Sequence, residues 1–250
     1  MTTIENPYLA GNFGPVAEEV TAFDLEVTGS IPEGLDGRLI RNGPNPRGEV
    51  DPAAYHWFTG DGMVHGLRLR DGKAEWYRNR WVSAAGGFGP NTNVIGHAGR
   101  TWALVESGPL PVELTDELES IGPNGFDGTL EDGYTAHPHR DPATGELHAV
   151  SYLWAWDHLR YTVVGVDGRV RREVRIPVPG QPMVHDCALT EDHVVLFDLP
   201  VTFDLEEAMA GSNLPYGWDP DHGARVGLLP REGEADDARW FEVDLCYVYH

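Results

Sequence analysis

The sequence predicts an all-β protein whose strands close on themselves or repeat radially, a β-propeller in preference to a sandwich. Three observations predict it. Hydrophobic residues recur in short alternating runs between turn signals, helix signals are sparse, and 30 Gly and 19 Pro punctuate the 250 residues. Open antiparallel sheets of this total size would leave long unpaired edges, which closure or radial repetition avoids. No tight repeat of the WD or kelch kind is present, so the blades are read from strand spacing alone.

The first alternating run is Gly37 to Arg41. Val64 to Arg70 and Lys73 to Arg78 flank Asp71-Gly72 and read as a hairpin, because an Asp-Gly pair adopts the positive φ that a two-residue loop requires. Asp61-Gly62 reads in the same way as a tight turn, with His65 a structural hydrogen-bonding residue just beyond it. Further strands are expected at Thr101 to Glu106, Leu147 to Tyr152, Tyr161 to Val166, Arg169 to Ile176 beyond the Asp167-Gly168 turn, His193 to Leu199 and Arg239 to Val243. Asn42 to Pro52 and Gly86 to Asn93 read as long loops, with Arg41 and Asn42 as buried loop anchors. Two short helical segments are expected, an acidic turn at Thr115 to Glu119 with a plausible cap, and about two turns over Asp204 to Ala210 ended by Gly211.

Charge excludes several classes of function. There are 40 acidic residues against 18 Lys plus Arg, a formal charge of −22, and Lys73 is the sole lysine. Such a field repels phosphate backbones and anionic lipid, which argues against a nucleic-acid partner and against polybasic membrane attachment. No run approaches 18 apolar residues and the N-terminus lacks the basic and apolar regions of a signal peptide, so a cytoplasmic protein is expected. Cys187 and Cys246, both in strand-like apolar context, read as free buried thiols.

Among the 11 histidines, His97, His148, His158, His193 and His222 lie beside turn residues and read as solvated or locally hydrogen-bonded. His139 is separated from His137 by Pro138. His137, His185 and His250 differ, each falling where a loop meets an apolar strand. Their spacings of 48 and 65 residues are about one four-stranded blade, so successive inner strands could aim them at a common point. A shared site of imidazoles would suit a borderline divalent metal such as Fe, Zn or Cu, although no local i, i+4 or C-x-x-C pairing supports it.

Four segments taken in order carry a family resemblance. Gly37-Arg38-Leu39-Ile40-Arg41-Asn42-Gly43-Pro44-Asn45-Pro46, His56-Trp57-Phe58-Thr59-Gly60-Asp61-Gly62-Met63-Val64-His65-Gly66, Ala136-His137-Pro138 and Val184-His185-Asp186 resemble the carotenoid cleavage oxygenases, a family that includes stilbene-cleaving dioxygenases and the retinal-pigment-epithelium isomerase. The resemblance spans essentially the whole chain. It implies a seven-bladed β-propeller with a non-haem Fe(II) held by four histidines, with His137, His185 and His250 matching the first three. It also implies that Glu106 holds His185 from outside the ligand set, orienting the ring and raising its basicity.

The implied reaction is oxidative scission of one C=C bond by O₂ to two carbonyl products, with an apolar alkene as substrate and Fe(2+) as the sole cofactor. Phe58, Trp81, Phe88 and Trp154 are candidate walls for that substrate, and peripheral membrane contact would serve to obtain it. Stilbene-cleaving members tend to carry a lysine immediately before the glutamate matching Glu106; here that residue is Val105, which favours a carotenoid or apocarotenoid over a hydroxystilbene. Family members are nearly twice as long. The expectation is therefore a single partial domain over residues 1–250 with about the first four blades, lacking the fourth histidine and open to the alternative of an inactive binding module or gene remnant.

Overall fold

The structure is a computed structural model that describes residues 6–84 and 89–250. Two compact units divide the chain, Met1–Leu104 with Val112–Pro123, and Val105–Pro111 with Asn124–His250.

The first unit holds two four-stranded antiparallel sheets. In one, β1 (Thr21–Phe23), β2 (Gly37–Asn45), β3 (Asp61–Arg70) and β4 (Lys73–Trp81) lie in the order β1-β4-β3-β2. In the other, β5 (Asn93–His97), β6 (Arg100–Leu104), β7 (Val112–Leu114) and β8 (Ser120–Pro123) lie in sequence order. The β3–β4 hairpin forms as its turn dictates, Asp71 and Gly72 taking φ of 50° and 71° so that Arg70 pairs with Lys73. Val64 and Trp76 from the first sheet, with Val82 just beyond β4, pack with Ala103, Val112 and Leu114 of the second and with Leu118 in the turn between β7 and β8.

The second unit repeats this plan. β9 (His139–Arg140), β10 (Leu147–Ser151), β11 (His158–Val164) and β12 (Val170–Pro177) form one sheet. β13 (Ala188–Leu189), β14 (His193–Asp198), β17 (Arg225–Pro230) and β18 (Arg239–Glu242) form the next, with the hairpin β15 (Val201–Phe203) and β16 (Tyr216–Trp218) inserted between β14 and β17. The helix α1 (Leu205–Met209) joins that hairpin's strands, and the Asp204 carboxylate accepts from the backbone N–H groups of Glu206 and Glu207. Val150, Leu159, Tyr161, Val174 and Ile176 of the first of these sheets share one core with Val194, Leu196 and Leu229 of the second. Each such side chain, fully buried, contributes about 1.5–3 kcal/mol.

Several sequence expectations need correction. Asp61-Gly62 is not a turn: both residues lie in β3, opposite Asn45 and Pro44 of β2. Glycine is needed at 62 for close approach, because a Cβ there would sit 1.9 Å from the Pro90 carbonyl oxygen, beside the hydrogen bonds Gly62 N–H to Gly89 O (3.0 Å) and Val82 N–H to Gly62 O (2.8 Å). The loop expected from Asn42 begins only after Asn45; β2 is an edge strand and so accommodates Pro44. Asn42 does tie down a loop, donating to the carbonyls of Pro90 and Asn93, but Arg41 is exposed. His65 Nδ1 lies 2.8 Å from the Tyr77 hydroxyl, as a structural residue should. Thr115 to Glu119 is a turn without helix, Cys187 is buried as expected, and Cys246 is exposed.

His97 and His148 are also corrected, being buried at 4% and 0% exposure. His148 on β10 touches the Tyr161 hydroxyl through Nδ1 at 2.6 Å and Arg231 through Nε2 at 2.9 Å, while Arg231 also pairs with Asp141. Because a guanidinium only donates, Nε2 is the acceptor and Nδ1 carries the proton. This network ties the two sheets of the second unit together. Burial, reinforced by Arg231, pushes the His148 imidazole down from 6.5 to about 4.

Two predictions follow from these contacts. Gly62→Ala should destabilise the protein by about 1–3 kcal/mol or more, read as a lower midpoint in denaturant unfolding. For His148 the unfolded chain binds the proton more readily than the folded one, so its contribution is complete above pH 6.5 and declines as pH falls toward about 4. His148→Gln should therefore lower the melting temperature at pH 8 and flatten its dependence on pH across that window.

Candidate metal centre

Three imidazoles of the second unit converge. His137 lies in the segment leading into β9, His185 in the segment leading into β13, and His250 follows β18. Ring centroids are 4.4 Å apart for His137 and His185, 4.6 Å for His137 and His250, and 4.9 Å for His185 and His250. One nitrogen from each ring lies within 4.8 Å of the others, a spacing from which a single ion can be shared.

Carboxylates commit the outer nitrogens. His185 Nδ1 lies 2.6 Å from Glu106 Oε2, a contact at ion-pair distance that lacks the in-line angle of a hydrogen bond. His250 Nδ1 lies 2.9 Å from Asp186 Oδ2. Both rings thereby keep Nε2 for the interior of the cluster. His137 Nε2 is buried with no hydrogen-bond partner. Burial pushes this imidazole down to about 4, and the neighbouring rings of His185 and His250 act in the same direction against the pull of Asp186 and Glu106. Three imidazoles, one of them with an unpartnered buried nitrogen, fit a borderline divalent cation such as Fe(II).

The expected grouping of His137, His185, His250 and Glu106 thus occurs within one compact unit. Three further participants escaped the sequence reading. Asp186 bridges two histidines, its Oδ1 accepting from His139 at 2.8 Å while Oδ2 faces His250. Although burial opposes it, the hydrogen bonds from His139 and His250 hold this carboxyl down at about 2. Tyr152 is the third, its hydroxyl 3.1 Å from Glu106 Oε1. The only available signal was adjacency: Asp186 follows His185 directly and Tyr152 ends a strand. His139, Asp186 and Cys187 also lie together, but burial raises the Cys187 thiol to about 12, so it stays protonated and is a poor metal ligand.

The candidate substrate residues are dispersed in their settings. Trp154, 53% exposed, stacks on Phe203 and continues a row of aromatics through Tyr216 to Tyr152, with centroid steps of 5.5, 5.8 and 6.0 Å. Phe58 belongs to the other unit, edge-on to His56, as does Trp81, which lies beneath the Arg47 guanidinium. Phe88 lies outside the described residues.

The family model described as retinal pigment epithelial membrane protein matches residues 13–87 and 89–250. The chain belongs to this family. A carotenoid cleavage oxygenase of Mycobacterium tuberculosis is 52% identical over 98% of this chain and 61% of its own length. A carotenoid 9,10(9',10')-cleavage dioxygenase of Crocus sativus is 35% identical over 97% of this chain and 53% of its own. The crystal structure of a Pseudomonas brassicacearum lignostilbene dioxygenase superposes with a TM-score of 0.85 at 31% identity, over 94% of this chain and 56% of that one. The chain therefore spans between half and about three fifths of these relatives. Its fold class is the all-β propeller of this family, with four four-stranded sheets among the described residues. Among the described residues no helix is long and apolar enough to cross a membrane.

Anaerobic titration with Co(II), followed by visible absorption, should show one tightly bound ion per chain. His137→Ala should abolish the absorption while leaving the far-UV circular dichroism unchanged.

Proposed function

We propose that the protein carrying this chain is a non-haem Fe(II) dioxygenase that cleaves a C=C bond of a carotenoid or apocarotenoid. The observation that carries this reading is the convergence of His137, His185 and His250 around an orphaned imidazole nitrogen, in a chain of the family to which carotenoid cleavage oxygenases belong. These three histidines would hold the iron, with Glu106 and Asp186 fixing the outer nitrogens of His185 and His250. Iron so bound supplies O₂ activation beside an electron-rich alkene, with no external reductant or organic cofactor. The residues themselves bind and orient. Neutral imidazoles would preserve the cation's charge, and the exposed Trp154 at the end of the aromatic row offers an apolar surface against which a polyene could lie.

The choice between substrates rests on Val105. Stilbene-type recognition through a lysine before Glu106 has no counterpart here, since Val105 is apolar and 8% exposed and Lys73 is the chain's sole lysine. A polyene without a phenol requires no such ammonium. The likeness to lignostilbene dioxygenase keeps hydroxystilbene cleavage as the second reading. Oxygen and substrate are the proposed partners, and nucleic acid is disfavoured by the charge of −22.

Incubating the Fe(II)-loaded protein with an apocarotenal and, separately, a hydroxystilbene under ¹⁸O₂ distinguishes the readings. The expected result is two carbonyl products from the apocarotenal, with label incorporated, and little turnover of the stilbene. The reverse preference would replace the proposed substrate class, and metal binding without turnover of either would make the chain an inert propeller.

A further inference from the structure

Glu106 has two carboxylate oxygens, and both are used. Oε2 faces His185 Nδ1 at 2.6 Å, while Oε1 accepts from the Tyr152 hydroxyl at 3.1 Å. Tyr152 immediately follows β10, is 5% exposed and is part of the apolar core shared by the two sheets of the second unit. A phenylalanine would fill that volume equally well. The hydroxyl costs desolvation in such a setting unless it finds a partner, and Glu106 is the partner it finds.

The terminal torsion of a glutamate is broad, so one oxygen at contact distance from an imidazole does not fix the plane of the carboxylate. A second donor on the other oxygen does. We propose that Tyr152 is a positioning residue for the metal centre, acting through Glu106 to hold His185 with its Nε2 toward the ion; this deepens the proposed function and rests on it. A carboxylate so oriented limits how the His185 ring it faces can turn. The ring of Tyr152 is held in turn by Tyr216, edge-on at 6.0 Å and 82°.

The test uses the intact chain loaded anaerobically with Co(II), in a double-mutant cycle of Tyr152→Phe, Glu106→Gln and the pair, with Tyr161→Phe as a control that removes a buried hydroxyl bonded to His148 instead. Expected for Tyr152→Phe are a shifted Co(II) visible band and a weaker affinity, by less than the roughly 10- to 100-fold loss typical when the direct outer partner of a ligand is removed. In the Glu106→Gln background the same substitution should add nothing, since its route to the ligand is already cut. Tyr161→Phe should lower the melting temperature and leave the band where it was. Wild-type protein that binds Co(II) with a spectrum and affinity unchanged by Tyr152→Phe overturns this inference alone, as does a full additional effect of Tyr152→Phe in the Glu106→Gln background. Wild-type protein that binds no Co(II) overturns the metal-centre reading and this inference with it.

Discussion

Three imidazoles whose centroids lie 4.4 to 4.9 Å apart cannot share their pocket as cations. At an effective dielectric of about 20, two protonated rings at such a distance repel by about 4 kcal/mol, in addition to the desolvation each pays. Protonation of two of the rings at once is therefore disfavoured. A cluster so arranged is suited to hold a cation in place of those protons.

The carboxylates have to be outside that cluster and close to it. Within it, an aspartate would pull protons onto the rings and fill the space an ion needs; one bond further away it holds an Nδ1–H and orients the ring. Asp186 serves His250 in this manner, and Glu106 lies at contact distance from His185 Nδ1. His137 lacks such a partner on its buried Nε2, and burial holds its imidazole down at about 4. The surplus of acidic residues in the composition thus says nothing of the site, where the useful carboxylates are few and their bearing on the rings is local.

Much of the fold was legible because its signals are local. The β3–β4 hairpin is encoded in Asp71-Gly72, and the short helix α1 falls within the segment ending at Gly211, each within a few residues of what determines it. His137 and His185 were legible for a different reason: they fall in the segments leading into the first strands of consecutive sheets, so a blade-length spacing carries them to equivalent places. The grouping of Glu106 with His185 was supplied by the family resemblance, since no spacing rule joins them. What stayed hidden depends on distant backbone. Gly62 looked like half of a turn because its true constraint, the Pro90 carbonyl, arrives from another segment. His148 looked solvated because the residue that buries and pairs with it, Arg231, is 83 positions away.

The same remoteness explains how the centre is held. β9 and β13, the strands that the ligand-bearing segments enter, have only two residues each and two register pairs to their neighbours, too little ladder to fix a side chain. Hydrogen bonds beyond the sheets supply the missing restraint. Asp186, directly after His185, reaches His139 on β9, and so links the segment before β13 to the strand that follows His137. The backbone N–H of Cys187 donates to the same Asp186 oxygen at 2.7 Å, which fixes the carboxylate against its own chain. The positions of two of the clustered histidines are thereby coupled through one aspartate, and a change that loosens Asp186 moves His137, His185 and His250 relative to one another even though none of the three is altered.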